Sequence, residues 1–316
     1  MTIQIPAPDF DLEKTLNSGQ VFHWVGDEDG FYGLIGPVPV FARQAGARLL
    51  VESGAPATAQ AESTQPAPLS QLVRNYFALD HNLAEICGSF PNDPAMRAAA
   101  GYCRGLRIIR QPKWECLATF ICSSMKQVAH IRQMSAALRW RFGHSCRVRD
   151  RTLHTFPSPT RLARTSETQL RRCSLGYRAN NLLLTARSVA SGVADLDEWG
   201  NLSDEELQLK LCTLPGVGPK VANCVMLFGY QRLRVFPIDV WIERVIREQY
   251  FARKRRPTPA GIRAFTTKYF GDHGGYAQQY LFHHARTARR IPAQSRKKRP
   301  KKGGNRRDRI GQARPT

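Results

Sequence analysis

The residues Leu214-Pro215-Gly216-Val217-Gly218-Pro219-Lys220 lie between two helical patterns, Glu205–Leu211 and Val221–Phe228, and leave the backbone little choice of path. Gly216 and Gly218, two residues apart, allow a sharp turn and a close backbone approach. The second helix then begins with free N–H groups and the positive end of its dipole facing outward, which suits a phosphate. A plain turn between helices would need only the glycines. Hairpins of this kind also serve ligases, nucleases and polymerases as passive grips, so the loop alone says no more than binding.

Lys220 separates these readings. A helical lysine is ordinarily a solvated charge, but this one occupies the first turn, where the dipole disfavours a cation. An ordinary lysine is neutral in only about one molecule per few thousand at neutral pH, and both the helix N-terminus and partial burial favour the neutral, nucleophilic amine. Cys224, four residues on, shares its helical face. Asp239, nineteen residues after Lys220 in Phe236-Pro237-Ile238-Asp239-Val240-Trp241, is placed to cap the helix from Val240. A capping carboxylate can also face positive charge developing on a sugar carbon. Together the lysine and the aspartate favour an enzyme over a passive binder.

Composition agrees with a polyanionic partner. The chain has 316 residues and a formal charge of +22. From Arg289 onward there are twelve lysines and arginines against Asp308 alone, so half of the net charge sits in a tail too poor in apolar residues to pack. The eight cysteines, at 87, 103, 116, 122, 146, 173, 212 and 224, show no short framework and no CxxC, which fits free thiols in a reducing compartment and argues against zinc or an iron–sulfur cluster. No cofactor or metal is expected. The start MTIQIPAPDF has neither a charged nor an apolar signal region, and no run of eighteen apolar residues predicts a membrane span. A soluble, intracellular protein is expected.

The first hundred residues read as mostly β, with strand-like runs at Val21–Val25, Gly30–Ile35, Val38–Phe41 and Arg48–Val51. Ser53–Pro68 reads as a flexible loop and Leu72–Cys87 as helix. After Pro94 successive helices are predicted at Trp114–Ser124, Val128–Phe142, Ser166–Cys173 and Asn180–Ser191. Four more follow at Asp204–Cys212, Lys220–Phe228, Val240–Gln249 and Thr258–Phe270. Ser203 and Glu206 are spaced as a capping box. The expected organisation is α+β: an antiparallel N-terminal domain over residues 1–108, a helical domain over 109–288 and a disordered basic tail over 289–316.

Short motifs in a fixed order carry a resemblance. They are Asn17-Ser18-Gly19-Gln20-Val21-Phe22-His23-Trp24, Tyr76-Phe77-Ala78-Leu79-Asp80, Phe120-Ile121-Cys122-Ser123-Ser124, Leu175-Gly176-Tyr177-Arg178-Ala179 and Gly275-Tyr276-Ala277-Gln278 with Phe282. With the hairpin, these resemble the 8-oxoguanine DNA glycosylase family of the helix-hairpin-helix glycosylases, from about Asn17 to Phe282. The resemblance implies a TBP-like N-terminal sheet followed by a helical glycosylase domain. It also implies a base-excision-repair enzyme that flips 8-oxoguanine from duplex DNA, excises it and cleaves the abasic site as a lyase. Its partner would be double-stranded DNA containing 8-oxoguanine, bound by a monomer without any membrane. Lys220 would be the nucleophile at C1′ and Asp239 its electrostatic support. The base would lie between Phe282 and Cys224, with Gln278 at its Watson–Crick edge and the carbonyl of Gly19 accepting the N7 proton that guanine lacks. Gly216, Val217 and Gly218 would hold the backbone, Tyr177 would be the wedge and Arg178 a reader of the widowed cytosine.

Three positions depart from that family's eukaryotic pattern. Met125 stands where an asparagine fills the vacated space, His130 where an arginine meets the orphan cytosine, and Trp241 where a histidine is usual. A weaker preference for cytosine opposite the lesion is expected. Competing readings are a glycosylase for another oxidised purine and a non-enzymatic DNA binder that uses the hairpin and tail alone. The tail itself reads as a non-specific DNA tether. A nuclear import signal at Arg296–Lys302 and a protein-binding arm are the alternative readings, and the expected location is with the DNA, in a bacterial nucleoid or a nucleus.

Overall fold

The computed structural model describes residues 1–56, 67–251 and 257–288. The middle of the expected Ser53–Pro68 loop and the whole tail from 289 lie outside those residues. The chain opens with β1 (Thr2–Pro6), α1 (Leu12–Asn17), β2 (Val25–Gly26), β3 (Phe31–Ile35), β4 (Val38–Ala45) and β5 (Arg48–Ser53). The strands form one antiparallel sheet in the order β1-β5-β4-β3-β2, so the first strand lies beside the last. Helices α2 (Leu69–Tyr76), α3 (Leu83–Gly88) and α4 (Pro94–Tyr102) follow. The sheet and α2 bury Ile5, Val40, Leu49, Val51, Trp24 and Phe77, and Trp24 Nε1 donates to Tyr76 Oη at 2.9 Å.

The helical half contains α5 (Lys113–Ser123), α6 (Val128–Phe142), a β6–β7 hairpin (Ser145–Val148, Arg151–His154), α7 (Pro159–Ala163) and α8 (Glu167–Leu170). It continues with α9 (Arg178–Ala190), α10 (Asp204–Cys212), α11 (Pro219–Gly229), α12 (Val240–Tyr250), α13 (Pro259–Phe270) and α14 (Gly274–Ala288). The α10 start is the expected capping box between Ser203 and Glu206.

The two halves interlock. Phe22, Ile86, Met96 and Cys103 from the first hundred or so residues are buried in the helical core, where α4 packs along α14. In return the β6–β7 hairpin crosses back onto the sheet. Val148 packs with Tyr32 and Phe41, and the Arg149 guanidinium pairs with Glu52 and lies 3.4 Å over the Phe41 ring.

Several expectations need correction. The run Val21–Val25 contributes only Val25 to a strand, because its residues serve three environments: Phe22 enters the helical core, Trp24 the sheet core, and His23 pairs with Glu115. Leu72–Cys87 is not one helix. The chain reverses at Ala78, at φ +50°, and Arg107 Nη1 accommodates the break by donating to the carbonyls of Ala78 (2.7 Å) and His81 (2.9 Å). The Ser166–Cys173 helix stops at Leu170 and passes into a π turn, Arg171–Leu175, with Ser174 at φ +62°. β1, α1, α4, the β6–β7 hairpin and α14 were not legible as separate elements.

Candidate active site

The hairpin closes as its residues require. Gly216 has φ +80°, and a Cβ there would lie 2.8 Å from Asn181 Nδ2 on α9. Thr185 Oγ1 on the same helix donates to Pro215 O at 3.2 Å. Leu214 and Val217 are buried, so the Val217 side chain anchors the loop and only its backbone is left for the surface. Gly218 is the N-cap of α11 and supplies no side-chain cap, which leaves the first N–H groups of that helix open. The next helix differs: Asp239 caps α12, its Oδ1 accepting from Ile242 N at 2.8 Å.

Lys220 points from the first turn of α11 into a cavity of about 590 Å³. Gly19, Cys224, Asp239, Trp241, Gln278 and Phe282 line the same cavity, although they come from separate segments of the chain. Phe22, Phe120, Ser123, Arg132 and Arg286 also line it, and none of these was singled out from the sequence as a site residue. The two phenylalanines were nevertheless inside quoted motifs. The floor under the lysine is aromatic: its Nζ is 5.4 Å from the Phe120 ring centroid, and Phe120 stacks on Phe228 at 5.5 Å and 7°. Burial pushes the Cys224 thiol above the ordinary cysteine range, although Lys220 pulls it the other way. Cys224 therefore presents a neutral S–H surface. Gln278 is buried, and its Oε1 has no hydrogen-bond partner among the described residues. An unpaired buried acceptor on a cavity wall is costly unless a ligand donor meets it.

The loop carrying Gly19 is held from both sides. Gln20 is fully buried; its Nε2 donates to Thr15 O, Ser18 Oγ and Arg107 O, and its Oε1 accepts from Ile109 N. Ser18 O accepts from Gln279 Nε2 at 3.2 Å and Asn17 O from Arg286 Nη2 at 2.5 Å. Gly19 has φ +91°, and a Cβ there would meet Arg286 Nη1 at 2.6 Å and Phe282 Cε1 at 3.2 Å. The left-handed backbone favours glycine here, and a side chain would have to displace the Arg286 guanidinium and crowd the Phe282 ring.

A second group lies outside the cavity. Met125 is 94% exposed in the left-handed region at φ +54°, and His130 is exposed on the first turn of α6. Tyr177 is 59% exposed at the start of α9. Arg178 is turned inward: its Nε donates to Ser124 O at 3.0 Å, its Nη1 to Leu175 O at 3.4 Å, and its guanidinium stacks 4.3 Å over Tyr177. It joins the Met125 loop to the Tyr177 loop. Trp241 is partly exposed at the cavity edge beside Arg244.

Comparison with known proteins gives a consistent picture. A model of the 8-oxoguanine DNA glycosylase N-terminal domain matches residues 2–117, and one of the HhH-GPD superfamily base excision DNA repair proteins matches residues 118–271. The chain is 32% identical over 294 residues to N-glycosylase/DNA lyase OGG1 of Arabidopsis thaliana, covering 89% of this chain and 78% of that protein. Among solved structures, MBOgg1 bound to a low-affinity DNA ligand matches with a TM-score of 0.83 and 31% identity over 91% of this chain and 96% of that one. The 8-oxoguanine glycosylase/lyase of Clostridium acetobutylicum, bound to double-stranded DNA with cytosine opposite 8-oxoG, matches with a TM-score of 0.81 and 26% identity over 91% and 98%.

Proposed function

The chain belongs to the 8-oxoguanine DNA glycosylase family, and on that premise we propose how its own residues carry the reaction. It is a bifunctional enzyme that excises 8-oxoguanine from DNA and cleaves the resulting abasic site as a lyase. The open N-terminus of α11 receives a backbone phosphate on its unpaired N–H groups. Tyr177 enters the duplex as the wedge, and the base swings into the cavity. Extrusion costs a few kcal/mol, offset by the contacts that the base makes there. The purine stacks between the Phe282 ring and the neutral Cys224 thiol. Gln278 Oε1 accepts from its Watson–Crick edge, and the Gly19 carbonyl accepts from N7–H. Guanine has no proton at N7, so it would leave that carbonyl facing a lone pair.

The neutral Lys220 amine attacks C1′ as the C1′–N9 bond breaks, and the bond pair leaves with the base. Asp239, oriented by its capping bond, faces the positive charge on the sugar. Loss of an Nζ proton and opening of the C1′–O4′ bond give the protonated imine, with O4′ taking a proton. Removal of a C2′ proton then expels the 3′ phosphate by β-elimination. The observation that carries this reading is the convergence of Lys220, Asp239, Cys224, Gln278, Phe282 and Gly19 on one cavity beside an uncapped helix. All of them come from one chain, which supports a monomer as the working unit. No helix among the described residues is long and apolar enough to cross a membrane. Borohydride added during reaction with an 8-oxoguanine duplex should yield a covalent protein–DNA complex that is lost in Lys220→Gln; no complex with the native chain would sink the assignment of the nucleophile.

A further inference from the structure

The cavity contains a cation that the reaction described above does not use. Arg132, one turn into α6, lines the wall next to the Gly19 loop. Its Nη2 donates to Asn17 Oδ1 at 3.1 Å, and its buried Nε has no hydrogen-bond partner among the described residues. No carboxylate lies within 4.0 Å of it among the described residues, although Lys14, Arg110, Arg139 and Arg149, for example, each pair with one. A half-buried guanidinium with a buried Nε that meets no acceptor is an expensive arrangement, and burial lowers its pKa. Such a group is stabilised by an anion that arrives later.

The chemistry supplies that anion. When the C1′–N9 pair stays with 8-oxoguanine, the negative charge is shared by N9 and O8. N7, C8 with its oxygen, and N9 share one edge of the five-membered ring. In the pose with N7–H on the Gly19 carbonyl, that edge faces the Asn17–Gly19 loop, and Arg132 is bonded to that loop. We propose that Arg132 is a catalytic residue of this chain: it receives the O8–N9 edge of the departing purine and holds the charge that develops there. The proton released from Lys220 Nζ as its bond to C1′ matures then neutralises the base. This assignment rests on the functional reading above, and it adds a contact to the lesion oxygen itself, a group that guanine lacks.

The test is single-turnover base release with saturating enzyme, run beside cleavage of a duplex that already contains an abasic site. Removing one charge-stabilising donor typically costs on the order of 10²-fold. Arg132→Gln should lose about that much on 8-oxoguanine, with Arg132→Lys losing much less. Abasic cleavage, which expels no purine, should lose far less than base release in both variants, and thermal melting should match the native chain. Slow background excision of guanine should suffer less than excision of 8-oxoguanine, narrowing the ratio between them. Native-like 8-oxoguanine release by Arg132→Gln, or an equal loss on abasic DNA, would overturn the proposal. A native enzyme that releases no 8-oxoguanine would instead indict the functional reading.

Discussion

Gly19 shows how little freedom a single position in this site has. Its left-handed backbone strains any other residue, and a methyl group would push the Arg286 guanidinium aside, so Gly19→Ala should destabilise the fold by about 1–3 kcal/mol. Thermal melting would show the loss, and assays below the melting range should show excision of 8-oxoguanine falling more than abasic cleavage. Asp239 serves structure and chemistry through one carboxylate, and the two can be separated. Asn caps a helix as well as Asp does, so Asp239→Asn should keep stability within a few tenths of a kcal/mol, whereas Asp239→Ala loses about 1 kcal/mol. Both should lose most base release; retention of activity in Asp239→Asn would remove the aspartate from the mechanism. On the far side of the duplex, Met125 and His130 present neither an amide nor a guanidinium. Excision rates measured with each of the four opposite bases should therefore spread less than a strict cytosine requirement allows, and a sharp cytosine preference would refute this. Lys220 and Cys224 could be singled out from their spacing on the hairpin helix, whereas Gln278 and Phe282 were reached only through the resemblance; all four line one cavity. Arg132 and Arg286 were not legible, because two more cations among 47 lysines and arginines carry no signal until burial singles them out.

At the scale of elements, periodicity identified the long helices well. The expected Val128–Phe142 and Asp204–Cys212 helices coincide with α6 and α10. What failed were junctions governed by tertiary partners. The break between α2 and α3 depends on Arg107 reaching Ala78 and His81 from nearly thirty residues away in sequence, and local propensity contains no trace of that. One half-buried histidine, one buried histidine and one carboxylate join these elements and make their packing sensitive to acid. His81, between α2 and α3, bonds to Tyr276 Oη on α14 at 2.9 Å, and His283 is buried on α14; burial first, then neighbouring arginines, hold both near pKa 4. Glu115 on α5 is held at about 2 by Arg139 and His23 in spite of burial, which alone would raise it. All three folded-state values lie below the unfolded ones, so the stability they give is present above the unfolded pKa and lost as pH falls through the folded one. Denaturant midpoints should decline from about pH 6.5 to 4 through the histidines and from about pH 4.5 to 2 through Glu115. A flat profile across the first window would show that the histidines protonate freely in the folded chain. Arg139→Met should cost about 3–5 kcal/mol, since it strands a buried carboxylate.

For the whole molecule, charge and topology lead to separate expectations. Half of the net charge lies from Arg289 onward, remote in sequence from most residues of the cavity. Removing residues 291–316 should weaken binding to undamaged DNA and flatten its dependence on salt, the logarithmic slope falling by about 0.9 for each phosphate that the tail neutralises. Base release with saturating enzyme should stay near the native rate, and its collapse would give the tail a role in the chemistry. The α+β then α order was legible because the strand and helix patterns change near Pro94. The interlocking of the two halves was not, because it rests on Phe22, α3 and α4 crossing into one core while the β6–β7 hairpin crosses into the other. That interlocking has a consequence during synthesis. The cavity takes Gly19 from near the start of the chain and Phe282 from near its end, with the nucleophile between them. A nascent chain that has already exposed its lysine still lacks the wall that holds the damaged base, so selective excision has to wait until α14 has emerged and docked.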